Sequence, residues 1–363
     1  MALPTRHRFL LEGGGALSEV IVAYETWGRR DDHGDNAILI CHALTGDSHA
    51  AGRAGPGHLA AGWWDPLIGP GRAIDTDRYF VVCANILGGC QGSTGPASPD
   101  PQSGLPYGSR FPVVSIRDMV RVQAALADEI GVSRWRSVIG GSMGGMQVLE
   151  WAVMYPERVR SVVPIATTVA ATAQQIAYSM VQRSSIQLDP NWLGGDYYDQ
   201  ARGAGPTRGL ANARALAQIT YRSDEVFRER FGRNVVDPLD EFEPWQRFDV
   251  EGYLDYHGAK LARRFDANSY LVIAKAMDLH DLGRGRGGIR AALSRVSCPT
   301  LTMSITTDAL YYPYQQEQIR DVLRSYGVHV EHAVIDSPHG HDAFLLETDQ
   351  MAEPLTKFLA ALD

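Results

Sequence analysis

The chain has little of what marks secreted, membrane-bound or nucleic-acid-binding proteins. It holds four cysteines in 363 residues. Cys41, Cys83, Cys90 and Cys298 lie near or inside apolar runs and show no CxxC or His-paired spacing, which excludes a disulfide scaffold and a Cys-type zinc site and leaves reduced, mostly buried thiols. No segment approaches the roughly twenty consecutive apolar residues that a membrane span requires. The opening Met-Ala-Leu-Pro-Thr-Arg-His-Arg-Phe-Leu-Leu lacks the apolar core of a signal peptide, so a cytoplasmic location is expected. Positive charge is in deficit, with 34 Lys+Arg against 42 Asp+Glu and a formal net charge of −8. Wholesale binding to nucleic acid or an anionic membrane surface is therefore not expected, although a local basic entrance for an anionic cofactor stays open. Internal repeats and low-complexity tracts are also missing.

What is present is a 45% apolar composition, enough for a sizeable core, arranged as short apolar runs between turn residues. These runs predict strands at Glu19–Glu25, Ala37–His42, Tyr79–Ala84, Arg136–Ile139, Val159–Ile165, Thr300–Ile305 and Val328–Ile335. Helical periodicity falls between them at Ile116–Ile130, Gly145–Met154, Gln315–Tyr326 and Met351–Leu362. Strands alternating with helices imply a mostly parallel sheet covered on both faces. Residues 167–295 read differently: they are helix-rich, with no buried strand, and predict a helical lid inserted into a core made of 1–166 and 296–363. The run Gly283-Arg-Gly-Arg-Gly-Gly288 reads as a mobile, solvated tether closing that lid, because no strand precedes it to build a phosphate loop.

The segment Trp135–Ala152 concentrates the chemistry. A short apolar run ends in Gly140-x-Ser142-x-Gly144 and an amphipathic helix follows, the pattern of the nucleophile elbow in the α/β-hydrolase fold. Glycines belong there because a serine forced into a sharp strand-to-helix turn leaves no room for Cβ atoms beside it. The bland alternative for Ser142 is a helix cap. A serine nucleophile needs a base, and the base needs an orienting acid; in this fold the chain order is Ser, Asp or Glu, then His. Asp308 follows the strand Thr300–Ile305, and His341 follows the strand before Asp336. His339 competes with His341, and Asp336 with Asp308. A His-x-His-Asp metal site is not expected, since no distant partner completes it. The tetrahedral intermediate needs two backbone donors. Met143, next after the nucleophile, supplies one expected amide, and Leu44 in His42-Ala-Leu-Thr-Gly-Asp47 the other. The loop Gly88-Gly-Cys-Gln-Gly-Ser-Thr-Gly95 reads as a shaped wall of the pocket.

With these residues in place the chain closely resembles, nearly end to end, the homoserine O-acetyltransferase family of α/β-hydrolase-fold acyltransferases. The resemblance rests on Cys41-His-Ala-Leu-Thr-Gly-Asp, Gly62-Trp-Trp-Asp, Asn85-Ile-Leu-Gly-Gly-Cys, Gly140-Gly-Ser-Met-Gly-Gly-Met-Gln, Arg264-Phe-Asp-Ala-Asn-Ser-Tyr-Leu and Gly340-His-Asp-Ala-Phe-Leu. It implies a triad of Ser142, Asp308 and His341 with Leu44 and Met143 as oxyanion donors. It also implies ping-pong acyl transfer from acetyl-CoA to L-homoserine in methionine biosynthesis, with no permanently bound cofactor. Arg214, Tyr221 and Asp342 stand at the positions that hold the amino acid in that family, where a guanidinium suits a carboxylate and an aspartate an ammonium. The resemblance further implies a homodimer through the lid helices. Tyr178-Ser in place of the expected Phe-Asn, and the aromatic Tyr311-Tyr-Pro-Tyr beside Asp308, keep serine as acceptor and succinyl-CoA as donor open as alternatives, with a carboxylesterase further off.

Overall fold

The structure, a computed structural model, describes residues 1–3, 8–201, 203–236 and 245–362. Near the start, β1 (Phe9–Leu10) and β2 (Ala16–Leu17) form a small antiparallel pair. The central sheet then begins with β3 (Tyr24–Trp27) and β4 (Ala37–Cys41). A two-stranded parallel ribbon, β5 (Ile68–Gly69) with β6 (Ile74–Asp75), precedes β7 (Phe80–Ala84). Helix α1 (Ile116–Glu129) leads to β8 (Ser137–Gly141), α2 (Met143–Met154) and β9 (Val162–Ile165). The chain next leaves the sheet for α3 (Ala173–Gln187), α4 (Thr207–Tyr221), α5 (Asp224–Phe231), α6 (Asp249–Ala262), α7 (Ala267–Asp278) and α8 (Ile289–Leu293). It returns as β10 (Thr300–Ile305), α9 (Pro313–Ser325) and β11 (Val330–Ile335), and ends with α10 (Ala343–Leu346) and α11 (Thr348–Ala360).

The seven strands lie in the order β11-β10-β9-β8-β4-β7-β3, all parallel except β3, which pairs antiparallel with β7 at one edge. Both faces are apolar, and the period-two alternation of a strand distributes them. Leu39, Val82, Val138 and Val162 pack under α1, α2 and α9, whereas Ile38, Val81, Ile139 and Val163 pack against Trp64 and Met351, Leu355 and Phe358 of α11. Helices α3 and α4 pack together, as do α4 and α6, and α3 and α7. Ile186, Leu210, Ala213, Tyr270 and Ile273 from these helices share a buried cluster with Leu44, Met143 and Met146, which sets the helical layer over the middle of the sheet.

Two readings need correction. The segment expected as a strand at Glu19–Glu25 joins the sheet only from Tyr24; before that it runs extended beside the N-terminus and the 93–94 loop, with Leu3 N–H donating to Val20 and Thr94 N–H to Ile21. The 283–288 run is not a solvated tether. Arg286 pairs with Glu150 of α2 at 2.7 Å, and Arg284 with Glu12 at 3.0 Å. Arg117 bridges both carboxylates, reaching Glu150 at 2.9 Å and Glu12 at 2.8 Å. The Glu150 side chain is 1% exposed, so the ion network fastens the end of the helical layer to α2.

Candidate active site

Ser142 sits between the last residue of β8 and the first of α2, with φ 59° and ψ −124°. A non-glycine residue in that region is strained, and such strain concentrates at functional turns. The neighbouring glycines allow the turn by leaving space. A Cβ on Gly144 would stand 2.1 Å from the Cys41 carbonyl oxygen, and one on Gly145 2.6 Å from Cβ of Thr167. Ser142 is thereby held at the carboxyl end of the central strand, below the helical layer.

His341 and Asp308 come to it from loops after β11 and β10. His341 Nε2 lies 2.8 Å from Ser142 Oγ, and His341 Nδ1 lies 2.7 Å from Asp308 Oδ2. Asp308 Oδ1 accepts the backbone N–H groups of Leu310 and Tyr311, each at 2.8 Å. All three side chains are buried. The arrangement allows Nδ1–H to donate to the carboxylate while Nε2 faces the serine hydroxyl, so a proton leaving Oγ has an acceptor. The competing residues stand apart: Asp336 Oδ1 accepts from Thr306 Oγ1, and His339 flanks Arg222 and Pro338 at a separate surface hollow.

The amides of Leu44 and Met143 have no hydrogen-bond partner among the described residues. Met143 is the first residue of α2, where N–H groups have no partner within the helix. Leu44 lies in the turn closed by the Gly46 N–H to Ala43 carbonyl bond of 2.9 Å.

The remaining expected residues gather on one side of His341. The Arg214 guanidinium lies 5.0 Å from the ring centre of Tyr221, whose ring is 5.9 Å from that of His341. Burial raises the Tyr221 hydroxyl pKa against the opposing pull of Arg214. Asp342 is taken up by Arg222 at 3.2 Å. His257 on α6 is pushed down to about 4, first by burial and then by Arg214, Lys260 and Arg222. That sign pattern marks a cation-rich corner around Asp342.

Several participants escaped the sequence reading. Tyr311 lies buried 4.9 Å from His341, its ring tilted against the imidazole. Gln147, fully buried on α2, donates to the carbonyls of His42 and Met143, both at 3.3 Å, while its Oε1 accepts from Gln123 at 2.6 Å. The unusual aromatic run at 311–314 was a visible signal for the first; a glutamine in a helix offers none. A cavity of about 50 Å³ lies beside Leu44, Met146, Tyr221 and Tyr311 and extends between α3 and α7 to Gln175, Tyr178, Ser179 and Asp278. None of the residues lining it is cationic.

One other group, Glu25 with His49 and His58, brings three possible metal-ligand atoms within 4.8 Å of one another. Its geometry suits hydrogen bonding better. The two imidazoles stack 3.7 Å apart and 8° from parallel, so their lone pairs run side by side instead of converging. His49 Nδ1 approaches Glu25 Oε2 at 2.8 Å, and His58 Nε2 at 3.7 Å.

Residues 36–348 match the alpha/beta hydrolase fold family. The homoserine O-acetyltransferase of Moorella thermoacetica is 52% identical over 352 residues, covering 97% of this chain and 93% of that protein. The crystal structure of homoserine O-acetyltransferase from Bacillus anthracis superposes with a TM-score of 0.90 at 30% identity, covering 97% and 95% of the two chains. The crystal structure of esterase E22 also superposes with a TM-score of 0.90, at 31% identity and 99% and 98% coverage.

Proposed function

From the premise that the chain belongs to the homoserine O-acetyltransferase family of the α/β-hydrolase fold, we propose that it moves an acetyl group from acetyl-CoA to the side-chain hydroxyl of L-homoserine through an acetyl-serine intermediate, a step of methionine biosynthesis. The observation that carries the reading is the relay from Asp308 through His341 to Ser142, at 2.7 and 2.8 Å, beside two amides free to receive an oxyanion. Ser142 Oγ attacks the thioester carbonyl as His341 Nε2 takes its proton. The amides of Leu44 and Met143 stabilise the tetrahedral oxyanion. The intermediate collapses with loss of the CoA thiolate, which takes the proton from His341. Homoserine then enters, His341 removes its hydroxyl proton as the oxygen attacks the acetyl carbonyl, and the second tetrahedral intermediate expels Ser142 Oγ, which takes the proton back from His341, releasing O-acetylhomoserine.

Arg214 is assigned to the amino-acid carboxylate, Tyr221 to the wall beside it and Asp342 to the ammonium. Arg214, Lys260 and Arg222, which add to burial in lowering His257, support a site for a carboxylate. The cavity favours acetyl over succinyl as the group carried. A succinyl tail would bring a second carboxylate into about 50 Å³ lined by no cation and by Asp278, which Arg183 already pairs, and an unpaired buried charge is costly. A homodimer through the helical layer is supported by Ile176, Met180 and Val181 of α3 and Leu188 just after it, which leave large apolar surface exposed. The described residues contain no helix long and apolar enough to cross a membrane, in keeping with action in the cytoplasm.

A second reading, hydrolysis of an acyl-enzyme by water, is favoured by the equally close likeness to esterase E22. One assay separates the two: thiol release from acetyl-CoA with homoserine, serine or no acceptor, alongside succinyl-CoA. Release that depends on homoserine and yields O-acetylhomoserine supports transfer, whereas equal release without acceptor overturns it in favour of hydrolysis.

A further inference from the structure

Both amides assigned to the oxyanion belong to peptide groups whose carbonyls carry one hydrogen bond more than the local turn supplies. The Met143 N–H shares its peptide plane with the Ser142 carbonyl. That carbonyl already accepts the first helical bond of α2 from the Met146 N–H at 3.2 Å, and it also accepts from Thr167 Oγ1 at 2.8 Å. The Leu44 N–H shares its plane with the Ala43 carbonyl. That one already accepts from the Gly46 N–H at 2.9 Å, and His42 Nδ1 adds a bond of 2.8 Å. The Ile86 N–H donates to His42 Nε2 at 3.3 Å, so the proton resides on Nδ1, and burial lowers the ring's pKa and keeps it neutral. We propose that Thr167 and His42 are positioning residues for this reaction, each gripping from behind the peptide plane whose N–H receives the oxyanion. The inference rests on the assignment of the Leu44 and Met143 amides made above.

The physical argument is short. A trans peptide is planar, with C=O and N–H pointing in opposite directions, so fixing the oxygen fixes the direction of the hydrogen. A bond accepted at the carbonyl also polarises the amide and strengthens its N–H as a donor. Neither extra bond is needed to satisfy a buried acceptor, because each carbonyl already has a partner. Thr167 is moreover delivered to its place at a conformational cost. Ala166 before it has φ 42°, left-handed for a residue with a Cβ, and its N–H donates to Met303 at 2.9 Å on the neighbouring strand. The Thr167 carbonyl is held by Gln316 of α9, and Gly145 leaves no room for a Cβ against it. Gln147 joins the two halves, since its amide reaches both the His42 and the Met143 carbonyl.

The test uses Thr167→Val, which keeps the shape and removes the donor, and Thr167→Ser, which restores the hydroxyl. Methylboronic acid is the probe: Ser142 Oγ bonds to boron, the serine proton passes to His341, and the tetrahedral boronate places an oxygen where the oxyanion forms. Thr167→Val should lower kcat by about 10- to 100-fold, less than the 10²- to 10³-fold expected for losing a whole donor, and weaken methylboronate by a similar factor. KM for homoserine and the pH profile should not move, and Thr167→Ser should recover most of the loss. His42→Phe should give the same division between kcat and KM. A Thr167→Val enzyme with wild-type kcat and boronate affinity overturns the inference, as does one whose homoserine KM rises in step with them. If methylboronic acid forms no adduct with Ser142 in the wild-type protein, the oxyanion assignment itself falls and takes the positioning role with it.

Discussion

Replacing Asp308 by asparagine should nearly silence the enzyme while leaving its fold alone, and the structure dictates why. Asp308 Oδ1 accepts two backbone N–H groups, from Leu310 and Tyr311 at 2.8 Å each. An asparagine there must set its carbonyl oxygen at that position, because an NH₂ group facing two N–H donors would leave three donors without an acceptor. The NH₂ is then forced into the place of Oδ2, 2.7 Å from His341 Nδ1. It donates to the ring, so Nδ1 must become the acceptor and the proton moves to Nε2. That nitrogen faces Ser142 Oγ at 2.8 Å and can no longer take its proton. Holding the imidazole in the wrong tautomer costs about 10⁴ in turnover, or about 5 kcal/mol at the transition state. The assay is CoA thiol release with and without homoserine, beside a thermal melt. A variant that keeps more than about a tenth of the rate refutes the argument, because the one amide flip that would leave Nε2 free sets an NH₂ group against the Leu310 and Tyr311 N–H donors.

Three further outcomes follow from the same geometry. Ser142→Ala should give no acetyl adduct on the 136–158 peptide after exposure to acetyl-CoA, with turnover reduced on the order of 10⁴ to 10⁶; an adduct of wild-type amount on that variant would place the nucleophile elsewhere. Arg214→Ala should lower kcat/KM for homoserine by roughly 10² to 10³ while acetylation of Ser142 stays near normal; equal losses in the two half-reactions, measured separately, would make Arg214 a support for the helical layer and turn attention to Arg222 beside Asp342. Glu150→Ala takes the buried carboxylate from Arg286 and leaves Arg117 with Glu12 as its carboxylate partner, the two arginine side chains being 12% and 11% exposed. Such a loss costs about 3–5 kcal/mol, or about 4–7 °C in Tm for a chain of this length, and a shift below about 1 °C in a melt would mean the network adds little.

How much of this was readable from residues alone depended on the range of the interaction concerned. The buried strands announced themselves because both faces of a parallel sheet are apolar, leaving runs such as Ala37–Cys41 with no polar residue to break them. The elbow was legible because its glycines are contiguous with Ser142, and the order of Asp308 and His341 along the chain narrowed the rest. What escaped were partners distant in sequence. Glu150 and Arg286 each look like ordinary surface charges on a helix and a glycine loop, and only the fold brings them to 2.7 Å. Gln147 reads as one more residue of a helix until His42 is seen across from it.

Ala166 makes the limit plain. Nothing about an alanine signals a left-handed backbone, a conformation that its Cβ disfavours by roughly 1–2 kcal/mol. A glycine there would adopt it freely, so the local sequence argues against the turn that exists. The conformation is imposed from outside, by the Ala166 N–H bond to β10 and by Gln316 holding the next carbonyl. With both fixed, the Thr167 side chain has one place to go, under the Ser142 carbonyl. Strain of this kind persists only where the surrounding structure over-determines it. Two strained residues stand at the carboxyl ends of adjacent strands, Ser142 after β8 and Ala166 after β9. In the proposed mechanism the first presents the nucleophile, and the second aims the hydroxyl that accompanies the peptide group beside it.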